Sequence, residues 1–179
     1  MMKLWLIALS LLILAMPVMA KDYSSEEIFS IYLVRHAEKR SDPIDPGNPG
    51  LSECGQLRAK RLAGILADAN IEIVYSTDYS RTLATARPSA ETFSLGIELY
   101  DPQKLSEFAR LLTSKHQDAL VVGHSNTTGI LAGLLTGGEQ EEFDEDIYDR
   151  LYQVVISGKR SRMILLHQAF HCESRVASH

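Results

Sequence analysis

The sequence predicts an α/β domain of three layers, in which helices cover both faces of a mostly parallel sheet. Short apolar segments alternate along the chain with longer segments whose apolar residues follow helical spacing. Of the 179 residues, 45% are hydrophobic and 23% are charged, which excludes disordered, collagen-like and coiled-coil chains. The net charge of −5 provides no general attraction for nucleic acid or anionic membranes, so we expect neither as a partner.

Each predicted element follows from a local pattern. Short apolar runs bounded by turn-forming residues predict six strands, at 31–34, 71–75, 96–100, 119–122, 151–156 and 162–167. Apolar residues at helical spacing predict four helices, at 52–69, 78–93, 101–112 and 125–135. Ser52, Asp78, Asp101 and Ser125 are expected to begin these helices. Because a helix follows each of the first four strands, we expect those strands to be parallel and the last two to form an antiparallel pair at an edge.

The first 20 residues are predicted to be a signal peptide rather than part of the fold. Lys3 precedes an apolar run over 4–15, and Val18 and Ala20 complete the three-part pattern of a secretory signal. We expect cleavage after Ala20, a single domain over 21–179, and a periplasmic or secreted protein with no membrane insertion after processing. An uncleaved anchor is the alternative, although the run is shorter than the roughly 20 residues of a bilayer span.

The two cysteines, Cys54 and Cys172, lie far apart in the sequence. Export would place them in an oxidising compartment, where one disulfide can persist. Two free buried thiols are the alternative, and the sequence alone does not decide between them.

Cations and imidazoles follow three of the predicted strands at the point where each strand ends. Arg35 and His36 follow the first strand, Arg81 comes shortly after the second, and His124 follows the fourth. Ligands of such sheets bind beyond the carboxyl ends of the strands, so we expect these side chains to share one crevice. Arginine forks donate paired hydrogen bonds to phosphate oxygens, and the starts of the second and fourth helices are expected to add N–H donors. The pattern therefore indicates a site for a dianion such as phosphate.

Four segments around these residues resemble the motifs of a known family. In chain order they are LVRHAEK (33–39), LSECGQLRAKRLA (51–63), YSTDYSRTLATA (75–86) and VVGHSN (121–126). They are similar to the motifs of the histidine phosphatase superfamily, also called phosphoglycerate mutase-like, over residues 31 to about 135. The resemblance implies a phosphoglycerate mutase-like fold and a phosphatase that uses neither a metal nor a cofactor. A mutase is less expected, because the chain is short and an exported protein meets few triose phosphates.

The resemblance also implies roles for the residues at the strand ends. His36 would attack phosphorus and form a phosphohistidine, which water would then hydrolyse. Arg35, Arg81 and His124 would stabilise the phosphoryl oxygens, with His36 neutral and its neighbours cationic. The implied substrate is a phosphorylated small molecule or a phosphohistidine, and we expect a monomer or a small homo-oligomer.

Two carboxylates are candidates for the proton donor to the leaving group. Glu107 lies in a Leu-Ser-Glu sequence whose distance from Arg81 matches the family's Leu-x-Glu donor. Asp101, immediately after a predicted strand, is the competing candidate, and the helical spacing around Glu107 is equally typical of an exposed side chain.

Three other functions remain open on the sequence. Ser125 in GHSNT is similar to the nucleophile of a serine hydrolase, with Asp144 or Asp149 and His167 or His171 following in the required order. The same cations could serve a non-catalytic phosphate-binding protein. The spacing of His167 and His171 also fits a metal site, although we assign no metal to it.

Overall fold

A computed structural model of the chain describes residues 27–41 and 45–172, which form one sheet of six strands and four helices. The strands are β1 (Ile28–Arg35), β2 (Ile73–Ser76), β3 (Ile97–Leu99), β4 (Ala119–Gly123), β5 (Arg150–Ser157) and β6 (Arg160–His167). The helices are α1 (Glu53–Ile65), α2 (Ser80–Phe93), α3 (Leu105–Lys115) and α4 (Thr128–Thr136). The expected signal peptide lies outside the described residues. Within the described ranges, no helix is long and apolar enough to cross a membrane.

The strand order across the sheet is β3-β2-β4-β1-β5-β6. The first four strands of the chain are parallel, β5 pairs antiparallel with β1, and β6 pairs antiparallel with β5 at the edge of the sheet. The predicted fold class is therefore confirmed. The register pairs Arg35 with Gly123, and Ser76 with Val122. The carboxyl ends of β1, β4 and β2 consequently meet at the same edge of the sheet.

The core lies on both faces of this sheet. Leu33 and Val121 belong to a cluster that includes residues of α3 and α4. Val34 and Val122, the next residues of the same two strands, belong to a second cluster with residues of α1 and α2. Successive strand residues point to opposite faces, so this alternation produces the predicted three layers.

Helix α4 begins at Thr128, three residues later than the sequence predicted. The residues after β4 form a turn, in which the Thr127 hydroxyl oxygen accepts a hydrogen bond from the backbone N–H of His124 at 2.9 Å. The hydroxyl of Thr128 donates to the carbonyl oxygen of His124 at 2.8 Å. This turn separates His124 from the first N–H groups of α4. Ser125 is therefore a turn residue rather than a helix start.

The predicted starts of α2 and α3 were also wrong. Helix α2 begins after Tyr79, and its first N–H group, that of Ser80, donates to Oδ1 of Asn48 at 2.8 Å rather than to Asp78. Asp101 uses its side chain in a local turn, where the carboxylate accepts a hydrogen bond from the N–H of Gln103 at 2.9 Å, and α3 begins only at Leu105. Capping residues form short turns as readily as helix starts, so the pattern alone did not separate the two.

The start of α1 is fixed by a capped turn, a buried ion pair and a disulfide. Ser52 caps the helix as predicted, since its hydroxyl oxygen accepts a hydrogen bond from the N–H of Gly55 at 3.1 Å. Arg58 in the same helix donates from Nε and Nη2 to the carboxylate of Glu38, at 3.0 and 2.6 Å. Because Glu38 follows His36 by two residues, this ion pair connects α1 with the loop that carries His36.

Cys54 and Cys172 form a disulfide, which decides between the two alternatives that the sequence left open. Their Cα atoms are 5.8 Å apart, and the bond ties the chain beyond β6 to the first turn of α1. Phe170, two residues before the second cysteine, lies against the guanidinium of Arg58, with 5.0 Å from the Arg58 Cζ to the ring centroid. The disulfide therefore holds the chain around Phe170 against the buried ion pair of Arg58 and Glu38.

Candidate active site

The structure brings four of the five predicted site residues together. Arg35 and His36 leave the end of β1, Arg81 lies in the first turn of α2, and His124 follows β4. All four line one cavity of about 700 Å³ at the carboxyl edge of the sheet. The rings of His36 and His124 meet edge to face, with 5.4 Å between their centroids.

The ring of His36 is oriented by a hydrogen bond to the neighbouring peptide. Its Nδ1 lies 2.8 Å from the carbonyl oxygen of Ala37, and a carbonyl only accepts, so Nδ1 carries the proton. The lone pair is therefore on Nε2. Burial, together with the charges of Arg35 and Arg81, lowers the pKa of His36 to about 3. At neutral pH the ring is uncharged and Nε2 is available as a nucleophile.

Arg35 is buried without a carboxylate partner. Only 3% of the residue is exposed, and Nη1 donates to the carbonyl oxygens of Glu145 and, at 3.1 Å, of Ile147. The guanidinium lies over the ring of Tyr148, with 4.2 Å from its Cζ to the centroid. Its Nε is buried and has no hydrogen-bond partner among the described residues. Burial lowers the pKa of Arg35, and the nearby Tyr148 and Glu145 offset only part of this effect.

Arg81 provides a second guanidinium of the same kind. It lies over the ring of Tyr79 at 4.6 Å, and its buried Nε also lacks a hydrogen-bond partner in the part of the chain that the structure describes. No carboxylate within the described ranges forms an ion pair with either Arg35 or Arg81. The cavity consequently holds two guanidinium groups without an ion-pair partner among the described residues.

His124 is held by a short series of hydroxyl groups. Its Nε2 lies 2.9 Å from the hydroxyl oxygen of Thr77, which in turn lies 3.0 Å from that of Thr82. Burial and the charges of Arg81 and Arg35 lower the pKa of His124 to about 4. The expectation that His124 is cationic is therefore wrong for the unliganded site, because two arginines beside a buried imidazole disfavour a third positive charge.

Glu107, the fifth predicted residue, is not brought to this cavity. It is exposed on the first turn of α3, because Phe108 and Leu112 of that helix pack into the core and turn Glu107 towards solvent. Glu107 and Asp101 instead line a separate depression of about 350 Å³. Neither carboxylate belongs to the residues that line the cavity of His36.

Three carboxylates that the sequence analysis did not single out as donors line the cavity instead. They belong to Glu142, Asp144 and Glu145, in the stretch between α4 and β5. Glu145 is paired with Lys39, which also lines the cavity, at 3.5 Å. The acidic composition of this stretch was visible in the sequence, but nothing in its spacing connected it with the strand ends.

The other constellations considered from the sequence are not assembled in the described ranges. Ser125 lines the cavity, but its hydroxyl forms no hydrogen bond with a described imidazole. His167 is paired with Asp149 at 2.8 Å on the last strand, so no Ser-His-Asp arrangement forms around Ser125. His167 and His171 do not share a group of metal ligands; the residues grouped in that way are Glu38 and the two disulfide-bonded cysteines.

The fold and the cavity define an α/β protein with a buried neutral histidine between two unpaired arginines. Residues 31–109 match the sequence profile of the histidine phosphatase superfamily (branch 1), and this segment contains Arg35, His36 and Arg81. The matched segment makes up slightly less than half of the chain, and over that segment the chain is similar to this superfamily.

Known relatives are similar in sequence and in fold. Phosphoserine phosphatase 1 of Hydrogenobacter thermophilus is 29% identical over 120 residues, which cover 65% of this chain and 47% of the relative. The alignment thus spans about half of that protein's length.

Two solved structures show the same fold at lower identity. The protein histidine phosphatase SixA complexed with tungstate aligns with a TM-score of 0.65 and 18% identity over 78% of this chain and 97% of that one. A protein described as a putative alpha-ribazole-5'-P phosphatase from Escherichia coli aligns with a TM-score of 0.64 and 17% identity over 81% and 99% of the two chains. At these identities the similarity establishes the fold alone.

Proposed function

We propose that the protein is a phosphatase that hydrolyses a phosphomonoester or a phosphoramidate through a phosphohistidine on His36. The observation that carries this proposal is the state of His36: it is buried, neutral, and held through Nδ1 so that the lone pair is on Nε2. The two arginines beside it have no carboxylate partner among the described residues and suit a dianionic phosphoryl group.

The reaction proceeds in two displacements. Nε2 of His36 attacks phosphorus, the bond from phosphorus to the leaving oxygen or nitrogen breaks, and the leaving group takes that electron pair together with a proton from solvent water. Water then attacks the phosphohistidine and returns a proton to the solvent, the P–N bond breaks, and Nε2 recovers its lone pair as phosphate is released. The proton of Nδ1 remains on its hydrogen bond to Ala37 during both steps.

The cations act on the oxygens of the phosphoryl group. In the transition state these oxygens carry spread negative charge, which Arg35 and Arg81 stabilise in the way that metal ions do in other phosphatases. The same arginines lower the pKa of His124 in the unliganded site. A bound dianion offsets their charge, so we expect His124 to take up a proton when phosphate binds and then to donate to it.

The named relatives support a phosphatase rather than a mutase. The Hydrogenobacter relative is called a phosphoserine phosphatase, and the two structural neighbours carry the names of a protein histidine phosphatase and a ribazole phosphatase.

Hydrolysis of para-nitrophenyl phosphate by the purified protein tests the proposal. His36→Ala is expected to abolish phosphate release, and chelation of metal ions is expected to leave the rate of the unmodified protein unchanged. Ser125→Ala separates this reaction from a serine hydrolase and is expected to keep most of the activity. Loss of activity in Ser125→Ala with retention in His36→Ala would contradict the proposal.

We also propose that the protein is exported and cleaved after Ala20. The basic, apolar and small-residue pattern of the first 20 residues supports this, and so does the disulfide between Cys54 and Cys172, which persists in oxidising compartments. Mass spectrometry of protein recovered outside the cytoplasm is expected to find Lys21 at the N-terminus. A full-length chain in the membrane fraction would show an anchored protein instead.

A further inference from the structure

The stretch over 139–149, here called the acidic segment, is fixed over the cavity at two points. The backbone N–H of Phe143 donates to the carbonyl oxygen of Ser125 at 3.3 Å. A few residues later, Nη1 of Arg35 donates to the carbonyl oxygens of Glu145 and Ile147. Ser125, which accepts the first of these bonds, is the residue next to His124, and Arg35 itself donates the others. The segment therefore has a defined position relative to the phosphoryl site.

Two residues of the acidic segment line the cavity and have carboxylates without a partner among the described residues. Phe143 is buried in the core beside Tyr152, and its neighbours Glu142 and Asp144 line the cavity. Neither carboxylate forms a hydrogen bond or an ion pair within the described ranges, whereas Glu145 is paired with Lys39. The cavity thus has two uncompensated carboxylates in addition to its two uncompensated guanidiniums.

The charges of the cavity can be assigned to the two halves of a substrate. The phosphoryl group brings about two negative charges and matches Arg35 and Arg81. Lys39 and Glu145 neutralise each other. Glu142 and Asp144 are left beside whatever is attached to the phosphoryl group, and a second anion there would be repelled.

We propose that Glu142 and Asp144 select substrates whose leaving group carries a positively charged nitrogen. This inference rests on the proposed phosphatase activity and names the substrate class of that site. The leaving group of such a substrate is an amine-bearing alcohol, phenol or nitrogen base, whereas phosphates with a second anionic group, such as carboxylates or further phosphates, are disfavoured.

The two carboxylates determine specificity and take no part in bond breaking. Both side chains belong to exposed residues, so each contributes a modest, salt-sensitive attraction. Together they are expected to favour a cationic over a neutral leaving group by about fivefold in kcat/KM. The preference is expected to decrease at high ionic strength, because the interacting charges are near solvent.

Three aryl phosphates that differ only in a remote charge test this inference. The phosphate esters of tyramine, para-propylphenol and para-hydroxyphenylpropionate have phenolic leaving groups of similar basicity, and their para substituents are cationic, neutral and anionic. Measured kcat/KM values are expected to decrease in that order. The double variant Glu142→Gln/Asp144→Asn is expected to bring the values for the cationic and anionic probes together.

A matched control separates the two cavity carboxylates from the general charge of the segment. The double variant Glu139→Gln/Asp146→Asn makes the same chemical changes in the same segment, at exposed residues that do not line the cavity. It is expected to keep the order of the three probes.

Each contrary outcome identifies what has failed. Equal kcat/KM for all three probes in the unmodified protein would overturn the substrate inference and leave the phosphatase intact. An equal loss of activity on all probes in the Glu142/Asp144 variant would show that these carboxylates are proton donors rather than selectors of charge. No hydrolysis of any probe, or of para-nitrophenyl phosphate, would overturn the proposed function together with this inference.

Discussion

Two buried arginines in this protein have similar surroundings, but only one of them is paired with a carboxylate of the described residues. Arg35 is 3% exposed and Arg58 is 6% exposed, and each guanidinium lies over an aromatic ring, at 4.2 Å and 5.0 Å from Cζ to the centroid. Arg58 is neutralised by the carboxylate of Glu38. Arg35 donates to backbone carbonyl oxygens and lies over the ring of Tyr148, and no carboxylate of the described residues forms an ion pair with it.

The difference separates a structural arginine from one that is prepared for a ligand. A buried charge is costly unless it is paired and hydrogen-bonded, and Glu38 meets that requirement for Arg58 within the protein. Arg35 and the neighbouring Arg81 leave the requirement unmet until an anion enters the cavity. The free energy that the protein does not recover on folding is thus available for binding a phosphoryl group.

The largest expected effect comes from removing the unpaired charge. Arg35→Met is expected to lower kcat for para-nitrophenyl phosphate by about 10²–10³-fold, because one stabilising donor is lost in the transition state. Its free energy of unfolding is expected to change little, since no carboxylate is left without a partner. Steady-state kinetics and urea unfolding of the same preparation measure both; unfolding at a much lower urea concentration with normal turnover would reverse the assignment of the two arginines.

The paired arginine is expected to behave in the opposite way. Arg58→Met leaves the carboxylate of Glu38 partly buried without its partner, and we expect a loss of about 3 kcal/mol in the free energy of unfolding. The double variant Glu38→Gln/Arg58→Met is expected to recover most of that loss, because no unpaired charge remains. Urea unfolding measures both variants, and equal stability of the single and double variants would show that packing, not charge pairing, is the role of Arg58.

The disulfide, like Arg58, is expected to contribute to stability rather than to turnover. Cys54→Ser/Cys172→Ser is expected to lower the free energy of unfolding by about 2 kcal/mol, because the unfolded chain is no longer closed across 118 residues. The kcat of the folded protein is expected to remain within about twofold, as the bond lies on α1 and not in the cavity. A loss of turnover without a loss of stability would connect the disulfide with the active site.

The last prediction concerns the pH dependence of stability that the cavity histidines produce. The pKa values of His36 and His124 are lowered from 6.5 to about 3 and about 4, so the folded protein excludes protons that the unfolded chain binds. This contribution to stability is fully present above pH 6.5 and is lost as the pH falls towards those lower values, by up to about 1.4 kcal/mol per pH unit for each histidine. Unfolding of His36→Gln/His124→Gln between pH 4 and 7 is expected to depend less on pH than that of the unmodified protein.

The sequence predicted the half of the site that depends on parallel strands. Arg35 and His124 follow strands whose carboxyl ends must meet at one edge, so their proximity follows from the alternation of strands and helices. The difference in charge balance between Arg35 and Arg58 was not predictable. It depends on which carboxylate the fold brings to each guanidinium, and Glu38 lies 20 residues from Arg58.

The position of the acidic segment explains why the sequence did not predict the remaining residues of the cavity. Strand β5 is antiparallel to β1, and the register pairs Leu151 with Val34. The residues before β5 are therefore returned to the carboxyl end of β1, beside His36. Spacing along the chain favoured Glu107 instead, but the rotation of α3 on its apolar residues turned that side chain to solvent.

The central claim is that the neutral His36, between two unpaired cations, accepts the phosphoryl group. Rapid quenching with a labelled aryl phosphate, followed by peptide mapping, tests it most directly. We expect label on His36 in a bond that acid cleaves and alkali preserves, and none on His36→Ala. Continued phosphate release with no label on His36 would contradict the claim and assign the cavity to a different reaction.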